Sequence, residues 1–282
     1  MPAKIIDGNK IARSILENIK SKVKNMKEKP GLALVMVGRN PASEVYVNFK
    51  EKDSKEAGFY CERHNLQENI SEMDLLNLVE GLNNNQKIHG VLVQLPLPKH
   101  IDEKLITDSI FPHKDVDGFT ALNLGNLLSE KTLIAPATAR AAIHLIESTG
   151  IKIEGKNAVV MGRSNIVGKP TALMLLEKNA TVTVCHSRTK NLAEHTKKAD
   201  ILVVAVGKPN LITKNMVKEF AVVIDVGINR VGDKLVGDVD FDSVKDVAGF
   251  ITPVPGGVGP MTRAMLMDNT LKAMELAEKM LK

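Results

Sequence analysis

The chain has 282 residues, of which 44% are hydrophobic and 25% are charged, a composition typical of a globular protein with one large or two modest domains. Aromatic residues account for only 3%, so the core must be aliphatic. The two cysteines, Cys61 and Cys185, lie far apart, which argues against a disulfide framework and favours a reducing compartment, the cytoplasm.

The net charge of +5 gives no indication of nucleic-acid binding, because the lysines are dispersed along the chain rather than clustered with aromatic residues. A positive bias also suits anionic small molecules, which it would steer towards the protein. No apolar run approaches the ~18 residues of a membrane span, and the N-terminal residues lack the apolar segment of a signal peptide. We therefore expect neither a nucleic-acid nor a membrane partner.

Helices and buried strands alternate along the first half of the chain. Apolar residues at four-residue spacing predict helices, and continuous apolar runs bounded by glycine or proline predict buried strands. In chain order we predict a helix over 9–26, a strand over 32–37, a helix over 43–57, a helix over 71–82 with Ser71 as its N-cap, and a strand over 90–95.

The second half repeats this alternation. The predicted elements are a helix over 138–148, a strand over 157–162, a helix over 169–178, a strand over 181–185, a short helix over 192–198, strands over 201–206 and 221–226, and a C-terminal helix over 261–281. Strands that alternate with helices imply an α/β fold with parallel sheets built from right-handed βαβ units. A domain boundary is expected near residue 140, where a new series of units begins.

A turn between a predicted strand and a predicted helix, over 162–170, has features of a dinucleotide site. Gly162 permits a tight turn, and the free N–H groups at the start of a helix can bind a pyrophosphate. The G-x-G-x-x-G pattern is incomplete, because Ser164 stands where the second glycine would be. A turn without a ligand is therefore the alternative interpretation.

The residues after the next strand favour NADP over NAD. NAD sites usually place a carboxylate here for the ribose 2′-hydroxyl, but no acidic residue occurs between Lys178 and Ala193. Ser187 and Arg188 stand there instead, and Arg163 lies in the first turn; a hydroxyl and two cations suit a 2′-phosphate. Both arginines could also be solvated loop residues.

Three motifs in the first half carry polar residues that could act in catalysis. Tyr46 and Lys50 are one turn apart on a helix face, Gln94 lies in an apolar strand, and Asp117 precedes a glycine in the loop over 112–119. Each has a simpler interpretation as well: a surface pair, an amide bonded to the backbone, and an aspartate that only forms a turn.

Together these segments resemble the methylenetetrahydrofolate dehydrogenase/methenyltetrahydrofolate cyclohydrolase family. The resemblance extends in order through nearly the whole chain, and its most specific segment is the run TPVPGGVGPMT over 252–262. It implies two α/β domains around a cleft. One would be a folate-binding catalytic domain of residues 1–139 completed by the C-terminal helix over 265–282; the other, of residues 140–264, would be a Rossmann-type NADP-binding domain.

The resemblance also implies roles for particular residues. Lys50 would be the catalytic lysine of the cyclohydrolase step, and Tyr46 would stack on the folate ring and help to aim the lysine. Gln94 would hydrogen-bond the lysine and tune its protonation, and Asp117 would hold the pterin ring. Gly257, Val258 and Pro260 would lie in a loop near the nicotinamide and the folate. The implied NADP-binding residues are Gly162, Arg163, Ser164, Ile166, Val167, Ser187, Arg188 and Ile228, and no metal is implied.

The implied function is the NADP-dependent oxidation of 5,10-methylenetetrahydrofolate, followed by hydrolysis of the methenyl product to 10-formyltetrahydrofolate in one-carbon metabolism. The enzyme would be a homodimer that associates through its NADP-binding domains. One alternative is a dehydrogenase without cyclohydrolase activity, against which Lys50, Tyr46 and Gln94 argue. A second is a non-catalytic nucleotide-binding module, against which Lys50 and Asp117 argue.

Two positions depart from the family pattern. Where the family usually has Pro-Cys-Thr-Pro-x-Gly, this chain has Pro-Ala-Thr-Ala-Arg-Ala over 136–141, which keeps Pro136 and Thr138. Thr138 could still act as the N-cap of the following helix. The other departure is Arg263, which stands where an apolar residue is common.

Overall fold

The computed structural model describes residues 2–280, which form two compact units. The first unit consists of Arg13–Ala137 together with residues 263–280, and the second consists of residues 2–12 together with Thr138–Thr262. Each unit has its own parallel sheet flanked by helices, so both belong to the expected α/β class.

The elements are numbered in chain order. In the first half they are β1 (Lys4–Ile5), α1 (Gly8–Lys24), β2 (Gly31–Val37), α2 (Pro41–Glu56), β3 (Tyr60–Leu66), α3 (Glu72–Asn84), β4 (Gly90–Val93), α4 (Glu103–Ser109) and α5 (Ala121–Leu128). In the second half they are α6 (Ala137–Glu147), β5 (Asn157–Met161), α7 (Gly168–Glu177), β6 (Thr181–Cys185), α8 (Leu192–Thr196), β7 (Ile201–Val204), a 3-10 turn (Lys214–Met216), β8 (Val222–Asp225), β9 (Asn229–Val231), β10 (Lys234–Val236), α9 (Phe241–Val244), β11 (Phe250–Ile251) and α10 (Val258–Met280). The predicted C-terminal helix and domain end at Leu281 and Lys282, which lie outside the described residues.

The sheet of the first unit has three parallel strands in the order β3-β2-β4. All seven residues of the central strand β2 are buried, which explains its continuous apolar sequence. In the register, Val35 of β2 lies opposite both His64 of β3 and Val93 of β4. The carboxyl ends of β2 and β4 therefore meet at one edge, where α2 and the chain after Val93 begin.

The sheet of the second unit has six strands in the order β1-β11-β8-β7-β5-β6, and all of its strand pairs are parallel. Its core is aliphatic, as the low aromatic content requires. The segments that follow β5, β6, β8 and β11 all emerge at the carboxyl edge. In open parallel sheets this edge is where ligands bind.

The expected division of the chain at residues 139 and 140 differs from the structure at the N-terminus. Residues 2–12 belong to the second unit, because β1 pairs with β11 and the Ile6 N–H donates to the Ile251 carbonyl at 2.8 Å. A strand of two exposed residues gives no periodic signal in the sequence. Among residues 2–280, no helix is long and apolar enough to cross a membrane.

Candidate active site

Helix α2 carries Tyr46 and Lys50 away from the carboxyl end of β2. Gly38 closes the strand with a φ of 74°, in the left-handed region that glycine adopts without strain. The Asn40 side chain then accepts a 3.1 Å hydrogen bond from the Ser43 N–H, which satisfies one of the free donors at the helix start. With 3.6 residues per turn, Tyr46 and Lys50 lie on the same face of α2.

The Lys50 amine is held by Gln94, which directly follows β4. Lys50 Nζ donates to Gln94 Oε1 at 3.1 Å. Gln94 Nε2 donates in turn to the Leu95 carbonyl at 2.8 Å, and the Gln94 N–H donates to the Val35 carbonyl at 2.8 Å. The backbone therefore sets the orientation of the Gln94 amide, so that its oxygen points towards the Lys50 amine. The Gln94 side chain therefore makes the backbone hydrogen bond of the simpler interpretation and a second hydrogen bond to Lys50 as well.

Burial changes the protonation of Lys50. The residue is only 9% exposed, and removal of the amine from water lowers its pKa below the ordinary value of 10.5. The negative charge of Asp117 acts in the opposite direction and raises the pKa of Lys50. The amine thus gives up its proton more readily than an exposed lysine would.

The loop that carries Asp117 is braced by its neighbour Asp115. The Asp115 carboxylate accepts hydrogen bonds from the Gly118 N–H at 2.9 Å and the Thr120 N–H at 2.7 Å, and from Asn123 Nδ2 at 2.9 Å. Asp115 therefore forms the turn, while no residue within 2–280 donates a hydrogen bond to the Asp117 side chain. Burial raises the pKa of Asp117, and Lys50 lowers it.

The last helix, α10, supports the same loop from the other end of the sequence. Asn269 is fully buried, and its Nδ2 donates to the carbonyls of Val116 at 2.8 Å and Ala135 at 2.9 Å. This contact explains why residues 263–280 complete the first unit. Sequence reasoning missed Asp115 and Asn269, because most of their partners are backbone groups that no motif reveals.

A second cluster, also missed from the sequence, joins Phe49 and Asp53 of α2 to Arg263 of α10. Asp53 Oδ2 lies 2.8 Å from Arg263 Nε, and the Arg263 guanidinium lies 4.5 Å from the centre of the Phe49 ring. Asp53 is 6% exposed. Asp53 follows Lys50 by three residues and Tyr46 by seven, so the sequence could have placed it on the same helix face. Its partner Arg263 could not be found in this way, because it lies on the distant helix α10.

Two glycines shape the turn after β5. Gly162 has a φ of 119°, and a Cβ at this position would lie 2.2 Å from the Ala205 carbonyl oxygen. A Cβ on Gly168, the first residue of α7, would lie 2.2 Å from the Gly162 carbonyl oxygen. The backbone of this turn is therefore packed too closely for side chains, as a dinucleotide-binding turn requires.

Ser164 has a structural role in this turn. Its hydroxyl accepts hydrogen bonds from the N–H groups of Val167 at 3.2 Å and Gly168 at 3.3 Å. A serine in place of the second glycine thus satisfies two donors at the start of α7. Arg163, Ser164 and Ile166 are exposed at the carboxyl edge of the sheet.

Arg163 and Arg188 emerge at the same edge on neighbouring strands. Met161 at the end of β5 lies opposite Cys185 at the end of β6, so both arginines follow within three residues of the paired positions. Ser187 and Arg188 are exposed in a turn in which the Arg188 N–H donates to His186 Nδ1 at 3.1 Å. The structure therefore places the two cations and the hydroxyl in the region where the sequence predicted them.

The segment before α10 belongs to the second unit. Gly257 lies so close to Gly8 of α1 that a Cβ on Gly8 would be 1.9 Å from the Gly257 carbonyl oxygen. Val258 begins α10, and Pro260 lies in its first turn, where no N–H is needed. Ile228, which follows β8, is the nearest neighbour of Gly259, at 3.8 Å from the position of a Cβ.

The expectation that Thr138 is the N-cap of α6 was wrong. Helix α6 begins at Ala137, so Thr138 lies inside the first turn and is not the N-cap. Its hydroxyl instead accepts a 3.5 Å hydrogen bond from the hydroxyl of Thr262.

Among the described residues, no group of three or more histidine, cysteine, aspartate or glutamate side chains could hold a metal ion.

Comparison with known families covers both units. Residues 6–117 match the tetrahydrofolate dehydrogenase/cyclohydrolase catalytic domain, and residues 136–278 match the NAD(P)-binding domain of the same family. The chain therefore belongs to the tetrahydrofolate dehydrogenase/cyclohydrolase family. It is a bifunctional enzyme of folate-dependent one-carbon metabolism, with a dehydrogenase and a cyclohydrolase activity, and its second unit is the NAD(P)-binding domain.

Relatives match the chain over almost its whole length. The bifunctional protein FolD of Moorella thermoacetica is 56% identical over 277 residues, which are 97% of this chain and 99% of the relative. The bifunctional FolD of Campylobacter jejuni superposes with a TM-score of 0.95 at 46% identity, covering 98% of this chain and 99% of its own. The Trypanosoma brucei enzyme, solved with NADP cofactor and an inhibitor, gives a TM-score of 0.96 at 37% identity, covering 99% of each chain.

Proposed function

We propose that the chain oxidises 5,10-methylenetetrahydrofolate with NADP and hydrolyses the methenyl product to 10-formyltetrahydrofolate, with Lys50 as the general base of the second step. The observation that carries this proposal is the contact between Lys50 and Gln94. A buried amine with a lowered pKa is held at 3.1 Å by an amide whose orientation the backbone sets. An exposed surface lysine would have none of these properties.

The dehydrogenase step needs position rather than proton transfer. Bound NADP supplies the hydride acceptor for the methylene carbon, and the nitrogen lone pair of the folate drives the loss of hydride. The protein contributes orientation and proximity. The close-packed turn at Gly162 and Gly168 suits a pyrophosphate. We assign Gly257, Val258 and Pro260 to the nicotinamide end, because the segment that follows β11 at the same sheet edge leads into Gly257 and the first turn of α10.

The cyclohydrolase step needs a base. As water adds to the methenyl carbon, neutral Lys50 takes one proton from it, and that proton then passes to the ring nitrogen as the carbon–nitrogen bond breaks. The second proton of the water leaves to solvent as the formyl carbonyl forms. Gln94 holds the amine in place throughout. A lowered pKa places more of the amine in its neutral form near neutral pH, which is the form that can accept a proton.

Two further side chains bind the folate in this proposal. Tyr46 lies on the same face of α2 as Lys50 and would stack on the pterin ring. The Asp117 carboxylate would accept two hydrogen bonds from the amino-pyrimidine edge of the pterin, a geometry that carboxylates favour. The support for this role is the bracing of the loop by Asp115, which leaves the Asp117 carboxylate available to a ligand.

We assign the preference for NADP to the carboxyl edge of β5 and β6. Arg163, Ser187 and Arg188 would bind the 2′-phosphate, and no carboxylate follows β6 to bind a 2′-hydroxyl. The adjacent positions Ser164, Ile166, Val167 and Ile228 would complete the cofactor site. We further propose a cytoplasmic homodimer that associates through this domain, a location consistent with two unpaired cysteines, Cys61 and Cys185.

The test is to mix the protein with 5,10-methylenetetrahydrofolate and NADP and to follow the methenyl absorbance. The wild type should pass the methenyl compound on, whereas Lys50→Met should accumulate it and keep a measurable dehydrogenase rate. Loss of general acid–base help typically costs ~10²–10⁴-fold. Lys52→Met is the matched control, since Lys52 lies on the same helix and its side chain is 67% exposed. If Lys50→Met hydrolyses the methenyl compound at the wild-type rate, the proposed mechanism is wrong.

A further inference from the structure

The cluster of Phe49, Asp53 and Arg263 lies on the same face of α2 as Tyr46 and Lys50. Asp53 follows Lys50 by three residues and Tyr46 by seven, which places all three side chains in one stripe. The side chains of Asp53 and Arg263 are 9% and 20% exposed, so both charges of the 2.8 Å pair are largely removed from water. The pair therefore lies beneath the same face of α2 that carries Tyr46 and Lys50 of the proposed folate site.

The contact between the two side chains is electrostatic rather than a well-aligned hydrogen bond. Arg263 Nε and Asp53 Oδ2 are both buried, and neither has a hydrogen-bond partner of good geometry despite their separation of 2.8 Å. The guanidinium also packs on Phe49, at 4.5 Å from the ring centre. The main effect of Asp53 on Arg263 is therefore to cancel its charge.

A purely structural role would not need this pair. Apolar side chains of similar volume stabilise a buried position at least as well as an ion pair does, because ions lose hydration on burial. Arg263 instead brings a positive charge close enough to Tyr46 to lower the pKa of its phenol, against the raising effect of burial. An uncancelled cation here would affect any charged ligand at Tyr46.

We propose that Asp53 and Arg263 are a specificity-determining pair, in which Asp53 cancels the Arg263 charge so that the site accepts a positively charged folate. The inference rests on the proposed binding of folate at Tyr46 and Lys50. The methenyl intermediate carries one positive charge that the methylene substrate lacks, while the rest of the molecule is the same. A free guanidinium beside the site would therefore weaken binding of the methenyl compound selectively.

The test removes the negative charge and keeps the shape of the side chain. Asp53→Asn should raise KM for methenyltetrahydrofolate about tenfold or more, because it leaves one uncompensated positive charge in a partly buried site. KM for the methylene substrate should change less than twofold. The methenyl effect should shrink as salt is added, because ions screen the free charge. A change in packing alone would raise both KM values and would not respond to salt.

Two further variants complete the design. The double variant Asp53→Asn/Arg263→Met has no free charge and should restore the methenyl KM to within about twofold of wild type. Glu51→Gln is the matched control, because Glu51 lies on the opposite face of α2, where its carboxylate pairs with Arg63 at 3.0 Å. It removes the same charge from the same helix and should leave both KM values unchanged.

The outcomes separate this inference from the proposed function. Equal changes in both KM values, no change in either, or a failure of the double variant to restore binding would overturn the charge-cancelling role. If Lys50→Met and Asp117→Asn also left folate kinetics unaltered, the proposed site itself would be wrong. Thermal unfolding of each variant establishes that it folds, and Asp53→Ala replaces Asp53→Asn if the amide is not accommodated.

Discussion

Lys50 and Asp117 influence each other through charge, although no hydrogen bond joins them among the described residues. Burial lowers the pKa of Lys50, and the negative charge of Asp117 partly reverses that shift. The pH dependence of the cyclohydrolase rate therefore reports on both side chains. The rate should rise with pH through the pKa of Lys50, since only the neutral amine accepts a proton.

Asp117→Asn should move this rising limb to lower pH. The substitution removes the charge that raises the pKa of Lys50, so the amine loses its proton at a lower pH. The measurement is kcat for methenyltetrahydrofolate hydrolysis against pH, with saturating substrate because Asp117 also binds folate in our proposal. Glu51→Gln is the control and should leave the limb in place. If the pH at which kcat rises is unchanged or higher in Asp117→Asn, the charge of Asp117 does not raise the pKa of Lys50.

The arginines at the nucleotide edge should set the choice of cofactor. Arg188→Ala is expected to lower kcat/KM for NADP about tenfold or more, because charged hydrogen bonds contribute ~1.5–3 kcal/mol. The value for NAD should stay nearly constant, since NAD has no 2′-phosphate. Lys190→Ala is the control, because Lys190 is an exposed cation in the same loop. Equal losses with both cofactors would contradict the assignment of Arg188 to the phosphate.

At the scale of elements, the turn between β5 and α7 depends on backbone packing. Gly162→Ala should weaken NADP binding and destabilise the protein by about 2 kcal/mol or more, because the new Cβ would lie 2.2 Å from the Ala205 carbonyl oxygen in a strained backbone conformation. Gly81→Ala is the contrasting variant. Gly81 lies in α3 with no atom within 4 Å of a Cβ, so alanine should stabilise the protein by ~0.5–1 kcal/mol. Urea unfolding and NADP titration measure both effects, and a neutral Gly162→Ala variant would refute the packing argument.

The sequence predicted the elements whose apolar pattern matches their burial. β2, β4 and β7 are fully buried strands and were visible as continuous apolar runs. β3 was not predicted, because an edge strand with the sequence YCERHNL has no such run. The short helices α4 and α5 were missed as well, since seven or eight residues give little periodicity.

The candidate site divides in the same way. Tyr46, Lys50, Gln94 and Asp117 could be selected because the resemblance to a known family implies roles for them, and the structure joins Lys50 to Gln94 directly. Ser71 was also confirmed as the N-cap of α3, with its hydroxyl 3.1 Å from the Asp74 N–H. The contact between Asp53 and Arg263 could not be predicted, because the two residues are more than two hundred positions apart and are joined only by tertiary packing.

At the scale of the whole molecule, each unit combines a long internal segment with a short segment from one end of the chain. Residues 2–12 add β1 to the six-stranded sheet of the second unit, and residues 263–280 complete the first unit through α10. A truncation at either terminus would therefore remove an element from a unit whose other residues lie far along the sequence.

The proposed homodimer can be tested at the free edge of the large sheet. β6 is an outer strand, and Val184 within it is 39% exposed. Val184→Lys should shift sedimentation from dimer towards monomer, because a charged side chain on an edge strand disfavours pairing. Leu128→Lys, on α5 of the other unit and 69% exposed before substitution, should leave the mass unchanged. A wild type that sediments as a monomer would refute the dimer.

The contact between Lys50 and Gln94 has a consequence for the energy of proton transfer. The amine donates and the amide oxygen accepts. A lysine keeps N–H bonds in both its charged and its neutral form, and the opposite end of the amide is tied to the Leu95 carbonyl. The same hydrogen bond can therefore persist before and after the lysine takes up a proton. Its surroundings need not rearrange during the reaction, so the reorganisation energy of that step is kept small.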